Sequence, residues 1–182
     1  MDEPDEPDVV VQDGSATVLS IVDRSFDAFY RGQYRALLSL AWSLTGRRDL
    51  GEELVQDAML TVHRRWRQVR TYDQPGSFAR RVLLNDATSA ARRRAAETRA
   101  LDRLDRPVEA AEDVPLPDPD FWSALRRLPE RQAQAVALHY LEDRSVAEIA
   151  DILGIAANTV KVHLHRGRLT LATELHPEES DR

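Results

Sequence analysis

A chain of 182 residues with 42% hydrophobic and 31% charged residues has the length and make-up of one or two small soluble domains. It has no cysteine, which excludes disulfides and thiolate metal sites, and it has no apolar run near the ~20 residues of a membrane span. The formal net charge of -6 excludes a uniformly basic nucleic-acid binder.

Charge is segregated along the chain. Residues 1–23 open on DEPDEPD and hold seven acids and no base. Their low hydrophobicity, prolines and single-signed charge predict a disordered acidic N-terminus. No basic stretch leads into an apolar one there, so no signal peptide is read and a cytoplasmic location is expected. Residues 24–94 hold fourteen Arg against seven acids, net +7. Residues 95–120 hold eight acids against three Arg, net -5, and residues 121–176 come to +1. Residues 177–182 form a short tail at -2. A local basic face attracts phosphate whatever the total charge.

The first predicted helix carries Phe26, Phe29, Tyr30, Tyr34, Leu37, Leu38, Ala41 and Leu44 at a period near 3.6. Asp49 is expected to cap the next, with Glu52 three residues on. Its buried stripe is Val55, Ala58, Met59, Val62 and Trp66. Pro75 suits the first turn of a third helix, which turns Phe78, Val82 and Leu83 inward and runs out in Arg92–Arg94. Between Ala95 and Asp120, Pro115, Pro117 and Pro119 block helix and mark a linker.

A second set of helices follows. Phe121, Trp122, Leu125 and Leu128 make a short one. Pro129 starts another, with Ala133, Val136, Ala137 and Tyr140 inside. Ser145 and Glu148 form a capping box for VAEIADIL, and Gly154 ends that helix in a left-handed conformation. The final helix turns Val160, Leu164, Leu171 and Leu175 inward. Thr159, Val162, His165 and Arg166 then point outward, flanked by Lys161 and His163. Arg, Thr and an apolar atom are a set that suits guanine edges, phosphate and a thymine methyl. No stretch alternates with period two, so the fold class is all-α, with two small helical domains and a helix-turn-helix in the second.

The helix-turn-helix alone leaves several functions open, among them a stand-alone regulator that binds DNA as a dimer. An enzyme such as a nuclease finds no support, because no acidic cluster has metal-site spacing and no Gly-rich phosphate loop is present. No cofactor is expected.

Three stretches carry a family resemblance. FDAFYRGQYRALLSLAWSLTGRRDLGEELVQDAML resembles the start of sigma domain two, and RRVLLNDATSAARRR resembles its promoter-melting end. LPERQAQAVALHYLEDRSVAEIADILGIAANTVKVHLHRGR resembles sigma domain four. Residues 24–176 are thus similar to a bacterial RNA polymerase sigma factor of the extracytoplasmic-function (ECF) group, close to an actinobacterial subgroup. The resemblance implies a sigma region 2 domain over 24–94, a linker over 95–120 and a sigma region 4 domain over 121–176.

It also implies roles. Glu53, Leu54, Gln56 and Asp57 lie where the family docks on the clamp helices of core polymerase. Tyr72, Asp73, Gln74, Ser77 and Phe78 match the loop that holds a flipped base of the −10 element, and Arg81 and Asn85 lie on the adjoining helix. Asn158, Thr159, Lys161, Val162, His163, His165 and Arg166 fall on the −35 reading helix. Where the family often caps that helix with Ser, this chain has Ala156, and Asn158 is expected to cap instead. The implied partners are core polymerase, through its clamp helices and flap, promoter DNA, and the anti-sigma factor usual in the family.

Overall fold

The computed structural model describes residues 25–101 and 118–175. The acidic N-terminus and most of the proline-containing linker lie outside the described residues. Within them the chain is helical throughout: α1 (Phe26–Thr45), α2 (Arg48–Arg64), α3 (Trp66–Val69), α4 (Pro75–Leu101), α5 (Pro119–Arg127), α6 (Glu130–Tyr140), α7 (Val146–Leu153) and α8 (Ala157–Leu175).

The helices of the first unit follow from their stripes and ends. Ser25 caps α1 by accepting from the Ala28 N–H at 3.2 Å. Gly46 ends α1 at φ 67, a left-handed conformation cheap only for glycine, and its N–H closes on the Trp42 carbonyl at 2.8 Å. Leu37, Leu40, Val55, Val62 and Leu83 are fully buried where α1, α2 and α4 meet. Phe26, Phe29 and Trp66 fill one end of that core, with Phe29 and Trp66 ring centroids 5.0 Å apart. Pro75 is the first residue of α4.

Three sequence expectations for this half need correction. Asp49 does not cap α2; Arg47 holds the N-cap position without a side-chain bond. Asp49 sits in the first turn, paired with the Arg47 guanidinium, which together with the Leu50 N–H holds its carboxyl down at about 2. Trp66 belongs to the separate short helix α3. And α4 does not stop at Arg94 but continues to Leu101, because Ala95, Ala96, Glu97 and Arg99 are all good helix formers.

In the second unit Pro119 starts α5, with Asp118 as the N-cap accepting from Phe121 at 3.1 Å. A proline in a first helical turn gives up only an N–H that has no partner there anyway. Ala133, Val136 and Ala137 are buried in α6, whereas Tyr140 is 51% exposed, because the helix ends there and its ring packs sideways on Phe121. α8 packs against α5, α6 and α7.

The capping box of α7 is complete. The Ser145 hydroxyl accepts from the Glu148 N–H, and the Glu148 carboxylate accepts from the Ser145 N–H at 3.0 Å. The Ser145 N–H and hydroxyl, with Arg144 beside them, hold the Glu148 carboxyl down at about 2. Ser145→Ala is expected to cost about 1 kcal/mol in urea unfolding. The Glu148 contribution has a definite sign. Its folded value lies below its ordinary 4.5, so its stabilisation is full above that value and is lost as pH falls toward 2. The stability gap between native protein and Glu148→Gln should therefore close over that acid range. A gap that stays constant down to pH 2 contradicts the assignment.

Candidate nucleic-acid and partner interfaces

The first surface is a cavity of about 620 Å³ between α2 and α4. Glu53, Asp57, Leu60 and Arg64 line it from α2; Asp86, Arg93 and Arg94 line it from α4. Glu53 and Asp57 are exposed on its rim, and Leu60 is 52% exposed. Burial pushes the Asp86 carboxyl up, the Asp57 charge adds to the push, and Arg93 opposes it. The lining thus carries three carboxylates and three guanidiniums with an apolar side chain held open beside them, and its exposed carboxylates on the α2 face, Glu53 and Asp57, can pair with basic groups of a partner. Gln56 is exposed on α2 outside the lining. Leu54 is 4% exposed and belongs to the core; it forms the cavity floor.

The second surface is the approach to α4. Tyr72, 39% exposed, meets Phe78 edge-on with centroids 5.9 Å apart. Asp73 and Gln74 are exposed, and Gln74 accepts from the half-buried Ser77 hydroxyl at 3.3 Å. The loop thereby presents one open aromatic ring braced by a second, next to polar side chains. An unstacked base can use such a platform. Asn85 lies exposed one turn beyond Arg81 on the same helix.

The third surface is α8. Its buried side is Val160, Leu164, Gly167 and Leu171. Asn158, Thr159, Lys161, Val162, His165 and Arg166 are exposed, Val162 by 44%. His163 is half-buried, and its Nδ1 is buried without a hydrogen-bond partner. The Ala156 carbonyl accepts from the Thr159 and Val160 N–H groups at 2.9 and 3.1 Å. Ala156 is therefore the N-cap, and Asn158 lies inside the helix. That corrects the expected cap at Asn158 and leaves the Asn158 side chain free to face outward.

The two units also touch. α1 packs on α5 and α6, and α4 packs on α7. Arg80, 3% exposed, pairs with Glu142, 5% exposed, at 2.5 Å. Arg81 donates to the carbonyls of Asp151 and Ile152 at the C-terminal end of α7. Arg80 was not singled out from the sequence. The signal was there: it stands three and four residues before Leu83 and Leu84, on the buried stripe rather than the open face.

A basic helix behind an aromatic loop, followed by a helix-turn-helix with an open reading face, defines a two-part helical DNA-binding subunit. The sigma-70 region 2 family matches residues 29–97, and the sigma-70 region 4 family matches residues 120–171. The chain is 29% identical to the RNA polymerase sigma-E factor of Streptomyces coelicolor over 157 residues, which is 86% of this chain and 89% of that one. It is 30% identical to the ECF sigma factor SigM of Mycobacterium tuberculosis over 153 residues, 81% of this chain and 76% of that one. Among solved structures it is similar to the sigma factor RpoE of Bartonella quintana in complex with the anti-sigma factor NepR. The TM-score is 0.70 at 26% identity, over 86% of this chain and 98% of that one.

The chain belongs to the ECF group of the sigma-70 family. As a sigma factor it binds core RNA polymerase and directs promoter recognition through its region 2 and region 4 domains. It is not a catalyst. The region 2 match sets aside the stand-alone dimeric regulator. No helix among the described residues is long and apolar enough to cross a membrane.

Proposed function

We propose that the three surfaces divide the work of initiation. The rim carboxylates Glu53 and Asp57, with Gln56 beside them, dock on the basic clamp helices of core polymerase, while Leu54 holds their helix in place from below. The Tyr72–Phe78 loop takes a flipped base of the −10 element, and Asn85 and Arg81 contact the neighbouring strand. α8 enters the major groove of the −35 element through Asn158, Thr159, Lys161, Val162, His165 and Arg166, with His163 at the edge of that face. The helical units α1–α4 and α5–α8 act as the two domains, and the chain between Leu101 and Asp118 joins them. The region 4 domain also meets the polymerase flap. The observation that carries this reading is the pairing of an open, charged cavity, with Glu53 and Asp57 exposed on its α2 side, with two DNA-suited surfaces on one chain.

Base capture is tested by permanganate footprinting. Asn85→Ala should keep core binding and reduce the reactivity of unpaired thymines at −10, since an Asn side chain can pair bidentately with a base edge. Equal reactivity on every responsive promoter removes Asn85 from the role. Arg166→Ala should weaken −35 recognition by about 1–3 kcal/mol if it reads a base. In a library of −35 variants the loss should concentrate at one base position. A uniform loss assigns Arg166 to phosphate, leaving specificity to Val162, His165 and their neighbours.

An anti-sigma factor is a further proposed partner, supported by the likeness to RpoE, which was solved with NepR. The proposed place of action is the cytoplasm, where polymerase and promoter meet.

A further inference from the structure

Val162 sits in the middle of the open face of α8. At about 100° per residue it lies nearly opposite Val160, Leu164, Gly167 and Leu171, the buried side of the helix. It is 44% exposed. Among the described residues it belongs neither to the hydrophobic core nor to the partly buried side chains packed on that core. Folding gives no reason for a valine there, since an exposed β-branched residue is a poorer helix former than the lysine before it.

Its surroundings on the helix are polar. Residues three and four apart are neighbours on a helix surface. Asn158 and Thr159 therefore stand one turn before Val162, and His165 and Arg166 one turn after. All four are exposed. Lys161 is exposed on one flank, and on the other His163 is half-buried, its Nδ1 enclosed without a hydrogen-bond partner. The centre of the face is thus a pair of methyl groups ringed by four side chains that can hydrogen-bond.

Hydrogen-bonding side chains read the donors and acceptors on the floor of a major groove, a pattern to which the methyls of Val162 are blind. One group on that floor matches them, the C5 methyl of thymine. Against any other base the valine covers a donor or acceptor that it cannot pair, and a polar group stripped of water without a partner is costly. A protein partner is the other class of surface that takes an exposed valine, but the polar ring favours DNA. Leu169, the other large apolar side chain exposed on α8, stands two turns on, about 10 Å along the axis. It lies beyond the ring, so the two do not join into one apolar patch.

We propose that Val162 is a specificity-determining residue that reads a thymine methyl. The −35 elements used by this chain then carry thymine where the middle of α8 meets the groove floor. This rests on the −35 role given above to α8, and it names the base that the role selects.

Removing the methyl alone tests it. Deoxyuridine keeps every hydrogen-bonding atom of thymine and lacks only that group. The full-length protein with core polymerase is bound to duplexes of a promoter that it transcribes, each with one −35 thymine of either strand replaced by deoxyuridine. At one position binding should weaken about fourfold, the worth of one buried methyl group. Cytosine at that position should bind more weakly still. There 5-methylcytosine should recover about fourfold over cytosine, because it restores the methyl and nothing else. In Val162→Ser, whose side chain has no methyl, both differences should vanish while binding to core polymerase is unchanged and circular dichroism stays helical. A native protein indifferent to deoxyuridine at every −35 position overturns the proposal, and that arm needs no variant. So does a Val162→Ser protein that keeps the native deoxyuridine penalty. So does a helical Val162→Ser protein that loses core polymerase, since the face then belongs to a protein partner. If no promoter gives a transcript that depends on its −35 element, the role of α8 fails instead, which separates the two claims.

Discussion

Asp57→Arg is expected to lose core polymerase in pull-down while circular dichroism stays helical. Asp57 is exposed on the rim of the α2/α4 cavity, beside Glu53 and opposite Asp86. If the partner surface is basic, the substitution sets like charges together at the contact. That costs about 3 kcal/mol, roughly a hundredfold in affinity. The fold has no reason to suffer. The Asp57 charge raises the Asp86 carboxyl, so a cation at 57 relieves a repulsion inside the protein. Loss of binding with unchanged or raised stability is therefore the predicted pair of results. Asp57→Asn, which removes the charge without reversing it, should fall between native and Arg. Native-level binding by the Arg variant removes this face from the docking role.

Gly167→Leu is expected to disable −35-dependent transcription while core binding survives. Gly167 lies on the buried side of α8, where a Cβ would stand 2.8 Å from the Cγ2 of Val136. Val136 is itself fully buried and stiff at χ1. Two effects oppose each other. Replacing a mid-helix glycine gains about 1 kcal/mol of helix propensity. Overpacking a closed helix contact costs about 1–3 kcal/mol, and a leucine brings three more carbons than the Cβ that already clashes. The clash wins, and it acts by levering α8 away from α6. Arg166 and His165 then lose their alignment even though neither is touched. The loss should appear on promoters that require a −35 element and be small on those that do not. Unchanged −35 dependence means that the α6–α8 contact does not set the reading angle.

Local signals in the sequence carried far, and the reason is physical. The stripe from Phe26 to Leu44 has the helix period, and the residues it places inward are buried or packed against the core. The Ser145–Glu148 box and Gly154 lie within one element, so their bonds depend on near neighbours alone. The failures share the opposite property. α3 has four residues, too few for any period to register. Pro119 reads as a breaker or a starter depending on whether Asp118 caps behind it. Asn158 looked like the cap because of its residue type, whereas Ala156 caps through its backbone carbonyl, which side-chain preference does not reveal. Among site residues, exposure of Thr159, Lys161, Val162, His165 and Arg166 followed from the angle around α8. Leu54 did not fit, because it lies on the buried stripe of α2 with Leu50, Val55 and Ala58, whereas Glu53, Gln56 and Asp57 are exposed. The pairing of Arg80 with Glu142, 62 positions apart, left no trace that a single sequence can display.

The central claim is that this chain gives core polymerase its promoter choice. Run-off transcription with purified core polymerase, with and without the full-length protein, tests it most directly. The template carries a responsive promoter, and a control template has its −10 and −35 elements exchanged for unrelated sequence. The account predicts a discrete transcript only when protein, polymerase and intact promoter are present together. Identical products with and without the protein, or specific binding of the promoter by the protein alone with no effect on the polymerase, would contradict it.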